Sequence, residues 1–80
     1  MKIPRNLTGR DLVRLLVPYG YIITRQTGSH IRLTTEQKGT HHITIPDHNP
    51  LRIGTLSSIL NEISLHFNIS KNELVKQIFC

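Results

Sequence analysis

Residues 30–35 read His-Ile-Arg-Leu-Thr-Thr, and polar and apolar side chains alternate along them. Alternation with a period of two is typical of a β-strand that has one face in the core and the other in solvent. Ile31 and Leu33 would lie on the apolar face, and Arg32 would lie on the opposite one. Similar runs precede and follow this stretch, so the sequence predicts a small sheet.

The two neighbouring strands have weaker but recognisable signals. The run Tyr21–Arg25 is rich in β-branched and aromatic residues, which favours a strand. Residues 36–39 are typical of a hairpin loop and lead into a third strand over about 41–46. There Ile43 and Ile45 would share one apolar face. A sheet with one apolar face needs a layer of helices to cover it.

Three helices are expected around these strands. The first has Thr8 as its N-cap and Asp11 three residues later, a variant of the capping box. Its apolar residues recur at helical spacing over 12–19, although a proline in the last turn is expected to shorten it. A second helix begins near Ile53, and residues 70–73 form a capping box for a third.

The resulting order is α-β-β-β-α-α, which predicts an α+β fold with a three-stranded antiparallel sheet and helices on one face. Eighty residues are expected to form one domain, residues 1–80. The order α-β-β-β-α is also that of double-stranded-RNA-binding domains, which contact RNA through its shape and phosphates. The uncovered sheet face is therefore a candidate binding surface.

The charge of the chain favours a polyanionic partner. Ten Lys and Arg residues against five Asp and Glu give a net charge of +5, and nucleic acid is the first partner to consider. Arg25, Arg32 and Lys38 lie in the strand region and are candidate RNA-binding residues. A domain whose basic charge is incidental and whose partner is a protein is the alternative.

The remaining composition indicates a cytoplasmic location. The only cysteine, Cys80, leaves no internal disulfide to form and suits a reducing compartment. Residues 1–8 contain no apolar core of a signal peptide. No apolar run approaches the roughly 20 residues that a membrane span requires, so no membrane association is expected.

Gly28-Ser29-His30 lies at the turn between the first two strands and is the strongest candidate for catalysis. Histidine can take and give a proton near neutral pH, and cleavage of RNA needs a base for the 2′-hydroxyl, an acid for the leaving oxygen, and cations for the phosphate. Ser29 is close enough to His30 to orient it, and Arg32 shares its face. The alternative is that His30 is only a surface histidine in a turn.

A second histidine, His48, follows Pro46-Asp47 and could reach the same end of the sheet. It is either a second proton carrier or a loop residue that is bonded to the backbone. The histidines lack the close spacing of common zinc sites, so we expect no metal site. Nor does the chain contain a phosphate-binding glycine loop or another cofactor motif.

Taken in order, these residues resemble the HicA family, the small RNA-cleaving toxins of toxin–antitoxin pairs. The shared residues are Thr8-Gly9, Asp11-Leu12, Gly20-Tyr21, Arg25-Gln26, Gly28-Ser29-His30, Pro46, His48, Leu51, Gly54-Thr55-Leu56 and Ile59-Leu60. The resemblance implies a double-stranded-RNA-binding-like fold, metal-independent cleavage of mRNA and inhibition by a HicB-type antitoxin. It also implies that His30 is the catalytic histidine. A non-catalytic RNA-binding module of the same fold is the alternative.

Overall fold

The structure, a computed structural model, describes residues 3–79, so Cys80 lies outside the described residues. The elements follow one another in the predicted order, and the α+β class is confirmed. They are α1 Gly9–Leu15, a 3₁₀ turn Val17–Tyr19, β1 Ile22–Thr27, β2 His30–Thr35, β3 His41–Pro46, α2 Ile53–Phe67 and α3 Lys71–Phe79.

The sheet is antiparallel with the strand order β1-β2-β3, and its two faces are those that the alternation in β2 predicts. Ile31 and Leu33 are fully buried, whereas Arg32 is exposed. On β3, Ile45 lies opposite Ile31 and Ile43 lies opposite Leu33. These four side chains form the part of the hydrophobic core that the sheet contributes.

The helices cover this apolar face of the sheet. Both α1 and α2 contact β3, and α3 packs on α2. Each helix packs apolar side chains into the core, and each fully buried one contributes roughly 1.5–3 kcal/mol relative to an exposed one. The fully buried helical residues are Leu12, Leu56, Leu60, Ile63 and Leu74. The C-terminal segment therefore completes the core through α3, and the opposite face of the sheet stays uncovered.

The first helix is shorter than its apolar spacing predicts. It ends at Leu15, and a 3₁₀ turn over Val17–Tyr19 follows it. Pro18 explains the change because it lacks a backbone N–H and cannot continue an α-helix. Gly20 then turns the chain towards β1 with a φ of 81°, a conformation that favours glycine.

The two predicted capping boxes form to different extents. At α1 both bonds are present at 3.0 Å, from the Asp11 N–H to Thr8 Oγ1 and from the Thr8 N–H to the Asp11 carboxylate. The bond that the Asp11 carboxylate accepts from the Thr8 N–H is the main cause that lowers the pKa of Asp11. At α3 the Glu73 N–H donates to Ser70 Oγ at 3.0 Å, but the Glu73 carboxylate accepts from Gln77 instead.

The first strand departs most from the prediction. It begins one residue later than Tyr21 and extends to Thr27, and all six of its residues are exposed. The pairing with β2 shifts between Ile23 and Arg25, so Thr24 is a bulge. Tyr21 itself is buried in the core, and burial raises its pKa to about 12.

None of the helices found between residues 3 and 79 is both long enough and apolar enough to span a lipid bilayer.

Candidate functional site

We call the sheet surface that faces away from the helices the open face. Along β2 it carries His30, Arg32 and Thr34, in agreement with the alternation. The register brings neighbours from both outer strands beside them: Arg25 and Thr27 from β1, and His42 and Thr44 from β3.

Two arginines lie directly opposite each other on this face. Arg25 of β1 pairs with Arg32 of β2, and both are exposed. Like charges in such cross-strand positions are destabilising. Neither guanidinium forms a salt bridge with an acidic side chain in residues 3–79. The pair is therefore suited to an external anion, since paired guanidinium groups bind phosphate through charge-assisted hydrogen bonds.

His30 stands beside this pair at the first position of β2. It lies opposite Thr27 on one side and Pro46 on the other, and it is exposed. Arg32 lies two positions further along β2, a distance of roughly 7 Å. None of the side-chain hydrogen bonds within residues 3–79 involves the His30 ring, so neither ring nitrogen is bonded to a described residue.

The Ser29 turn and the loop after β3 are joined at the same end of the sheet. The Asp47 N–H donates to the Ser29 carbonyl at 2.6 Å, and the Gly9 N–H donates to the His48 carbonyl at 2.9 Å. These bonds fix the backbone of both segments. The structure thus brings Ser29, His30 and His48 to one edge, with the His48 side chain exposed.

Sequence reasoning missed one charged residue at this edge. Nη2 of Arg10 lies 3.4 Å from Oδ2 of Asp47 and 3.2 Å from Oε1 of Gln26. Arg10 therefore connects the start of α1 to the end of β1 and to the loop before His48. No local pattern could reveal this, because the partners are 16 and 37 residues away in the chain.

Lys38 is not part of this edge. It lies in the β2–β3 hairpin with a φ of 58°, at the end of β2 that is remote from His30. Five residue steps along a strand span roughly 17 Å, so Lys38 and His30 cannot contact the same phosphate. Of the three predicted cationic residues, the structure places Arg25 and Arg32 near His30 and separates Lys38 from it.

Thr34 also differs from expectation, since the alternation predicts it to be open to solvent. It is only 8% exposed. Its Oγ1 is 2.8 Å from Thr24 Oγ1 and 2.8 Å from His42 Nδ1. The bulge at Thr24 brings its hydroxyl over Thr34, and this chain of hydrogen bonds ties the three strands together on the open face.

A second histidine pair lies at the remote end of the sheet and has a structural role. His41 and His66 stack with ring centroids 4.4 Å apart, and His41 Nδ1 bonds the Tyr21 hydroxyl at 2.7 Å. Burial, and then the neighbouring His66, lower the pKa of His41. The His66 ring donates from Nε2 to the Gln37 carbonyl at 2.9 Å, which holds the hairpin against α2.

The described residues of this site do not form a cluster of metal ligands. Across the described part of the chain, no three side chains of His, Cys, Asp or Glu are grouped so that they could hold an ion. What the site offers is an exposed imidazole beside two unpaired guanidinium groups. That combination can neutralise a phosphate and move a proton at a neighbouring atom.

A protein-family model described as the HicA toxin of bacterial toxin-antitoxin matches residues 9–65. The match begins at α1, includes the whole sheet and extends into the last turn of α2. The candidate site residues, from Arg10 to His48, all lie within it. Neither the curated proteins nor the solved structures gave a significant match to this chain.

Proposed function

Because the chain belongs to the HicA toxin family of bacterial toxin–antitoxin pairs, we propose that it is an endoribonuclease that cleaves mRNA without a metal ion. The observation that supports this most directly is the position of exposed His30 beside the cross-strand pair Arg25 and Arg32. An open sheet face suits a polymer substrate, because a polymer can extend beyond the site at both ends.

In the proposed reaction His30 acts as the acid/base group. A base removes the proton from a ribose 2′-hydroxyl, and the 2′-oxygen attacks the adjacent phosphorus. The bond to the 5′-oxygen breaks, and that oxygen takes a proton. Arg25 and Arg32 stabilise the negative charge that develops on the phosphate. His48 is the candidate for the second proton transfer, and Ser29 is a candidate to orient the His30 ring.

The proposed reaction can be tested by asking whether cleavage requires the 2′-hydroxyl. We expect the products to carry a 2′,3′-cyclic phosphate and a 5′-hydroxyl. An oligonucleotide with a single 2′-deoxy sugar at the scissile position should bind as the all-ribose strand does but remain uncut. Product ends are read by mass spectrometry, with the all-ribose strand as the control. Cleavage of the 2′-deoxy strand at that position would contradict the proposed route.

RNA binding is expected to be mainly electrostatic. Each phosphate neutralised on a single strand contributes about −0.7 to the slope of log affinity against log salt concentration. Arg32→Ala should therefore weaken the binding of every RNA sequence and reduce that slope by about 0.7. Lys76→Ala on α3 removes the same charge from an exposed residue of the helix layer and should leave the slope unchanged. Fluorescence anisotropy across a salt series measures both.

Two alternatives are distinguished by the same measurements. A non-catalytic RNA-binding module would show the salt-dependent binding and no cleavage of any RNA. A protein-interaction domain would show RNA binding that is weak, insensitive to salt and equal in both variants. The arginine pair by itself does not separate the two alternatives, because a phosphate or a carboxylate would neutralise it; the cleavage and salt-series measurements do.

We also propose that a HicB-type antitoxin inhibits the chain by covering the open face around His30. The site is shallow and its imidazole is exposed, so a partner must exclude the RNA. An acidic partner would associate rapidly through electrostatic attraction and compete for the same cations. Within this proposal the pair acts in the cytoplasm, where mRNA is found, and residues 1–80 form a single toxin domain.

A further inference from the structure

The outer edge of β1 is an uncovered edge of the sheet. β1 lies at the end of the β1-β2-β3 sheet, and no other strand within residues 3–79 pairs with its outer side. The opposite edge strand, β3, contacts α1 and α2 and ends in a proline. All six residues of β1 are exposed, so this edge offers unpaired backbone donors and acceptors over its length.

The side chains of β1 do not discourage pairing. Natural edge strands are usually guarded by lysine, by proline or by several charges. β1 reads Ile-Ile-Thr-Arg-Gln-Thr and has one charge, Arg25. Ile22 and Ile23 are 64% and 45% exposed, and β-branched residues pair favourably with a neighbouring strand. The bulge at Thr24 and the charge of Arg25 are protective features, but they leave both isoleucines accessible.

The positive charges near β1 determine which kind of strand can pair with this edge. Arg25 already faces Arg32 on its inner side, so a negative side chain on a strand beside it would relieve the repulsion between them. A second copy of the chain would instead bring another Arg25 close to the first. It would also combine two molecules with a net charge of +5 each. Self-pairing through β1 is therefore disfavoured.

We propose that β1 is the docking edge for an extended segment of an acidic partner protein, which adds a fourth strand to the sheet. An acidic side chain of that segment lies beside Arg25, and an apolar side chain lies beside Ile23. Backbone hydrogen bonds supply the affinity, and the alternating side chains supply the specificity. The proposal does not depend on RNA cleavage and would stand if the chain were inactive on RNA.

Three synthetic peptides of one length test the proposal on ¹⁵N-labelled protein. The first alternates glutamate with valine, the second alternates lysine with valine, and the third repeats the first with N-methyl groups on alternate amides. We expect the glutamate peptide to shift the amide resonances of residues 22–27 and to give inter-strand NOEs to β1. The lysine peptide should not bind, and N-methylation should abolish binding because it removes the donors that pair with the edge.

A matched pair of variants locates the contact. Ile23→Asn removes the apolar contact without adding a charge and is expected to weaken the binding of the glutamate peptide by about five-fold. Leu65→Asn makes a matched change at a residue of α2 that is 81% exposed and should have no effect. Melting curves establish that both variants are folded, and the N-methyl comparison on the unmodified protein remains decisive if either is not.

Two results would overturn the proposal. One is that the glutamate peptide shifts only residues of the open face on β2 and β3, or binds equally well when it is N-methylated. This outcome would mean that the peptide neutralises the arginines without adding a strand. The other is that sedimentation shows a dimer of the free protein which Ile23→Asn dissociates, since a second copy would then be the natural occupant of the edge.

Discussion

His30→Ala is expected to reduce RNA cleavage by between about a hundred-fold and about ten-thousand-fold, the range that a positioned acid/base group contributes. The ring is exposed and makes no hydrogen bond within the described residues, so its loss leaves no buried group without a partner. RNA affinity should change little, because Arg25 and Arg32 remain. Single-turnover cleavage and anisotropy measured on the same preparation separate the two effects.

His42→Ala is the matched control for this prediction. His42 is an exposed histidine on the same face, but it lies opposite Thr34, remote from the His30 edge. Its ring bonds the Thr34 hydroxyl, which keeps its bond to Thr24 when His42 is removed. We expect it to retain cleavage near the unmodified rate. Equal activity of the His30→Ala and unmodified proteins, with unchanged melting curves, would remove His30 from the mechanism. An equal loss in both variants would indicate that the face as a whole is needed and that His30 has no special role.

The alternation in β2 and β3 was sufficient to predict which face of the sheet is buried and that His30 lies on the other one. Ile31, Leu33, Ile43 and Ile45 specify the buried face, and His30 is then fixed on the opposite one. Such predictions succeed because a strand with one buried face must keep its register, since a slip of one residue would expose the whole apolar set.

The face on which Arg25 lies could not be predicted from the alternation of polar and apolar residues. Strict alternation along β1 would place Ile22 and Arg25 on opposite faces. The bulge at Thr24 adds one residue to the count, so both lie on the open face, and Arg25 comes opposite Arg32. Bulges depend on the partner strand and have no reliable local sequence signal. The spacing alone therefore could not reveal the arginine pair, on which the proposed phosphate contact depends.

The helix contribution to the site was also invisible in the sequence. Thr8 and Asp11 predict where α1 begins, because the capping box is a local interaction of residues three apart. The position of that helix on the end of β3 depends on contacts with residues nearly forty positions away. Gly9 and Arg10 are the residues that make them, and Gly9 allows the closest approach.

Gly9→Ala is expected to lower the free energy of unfolding by about 3 kcal/mol or more, at the upper end of what overpacking costs. A Cβ added at Gly9 would lie 2.1 Å from the carbonyl oxygen of Pro46 and 3.2 Å from the Cα of Asp47. Both are backbone atoms and cannot rotate away, so α1 must move off the end of β3. For a domain of this size the melting temperature should fall by roughly 12–24 °C.

Gly54→Ala is the control, because the same substitution at this position is expected to raise the stability of the protein and not to lower it. Gly54 lies in the first turn of α2, and a Cβ there would meet nothing within 4 Å. Alanine is a better helix former than glycine and restricts the unfolded chain, so stability should rise by up to about 1 kcal/mol. If both variants were equally stable, the tight contact at Gly9 would not exist in solution.

Gly9→Ala also tests whether α1 positions the candidate site. A displaced α1 would lengthen the hydrogen bond from the Gly9 N–H to the His48 carbonyl and move Arg10 away from Asp47. We therefore expect Gly9→Ala to reduce cleavage even at temperatures where circular dichroism shows it fully folded, while RNA affinity through Arg25 and Arg32 is retained. Full activity of the folded variant would mean that the loop bearing His48 is held by β3 alone. His48 would then be correctly placed without any contribution from the helix.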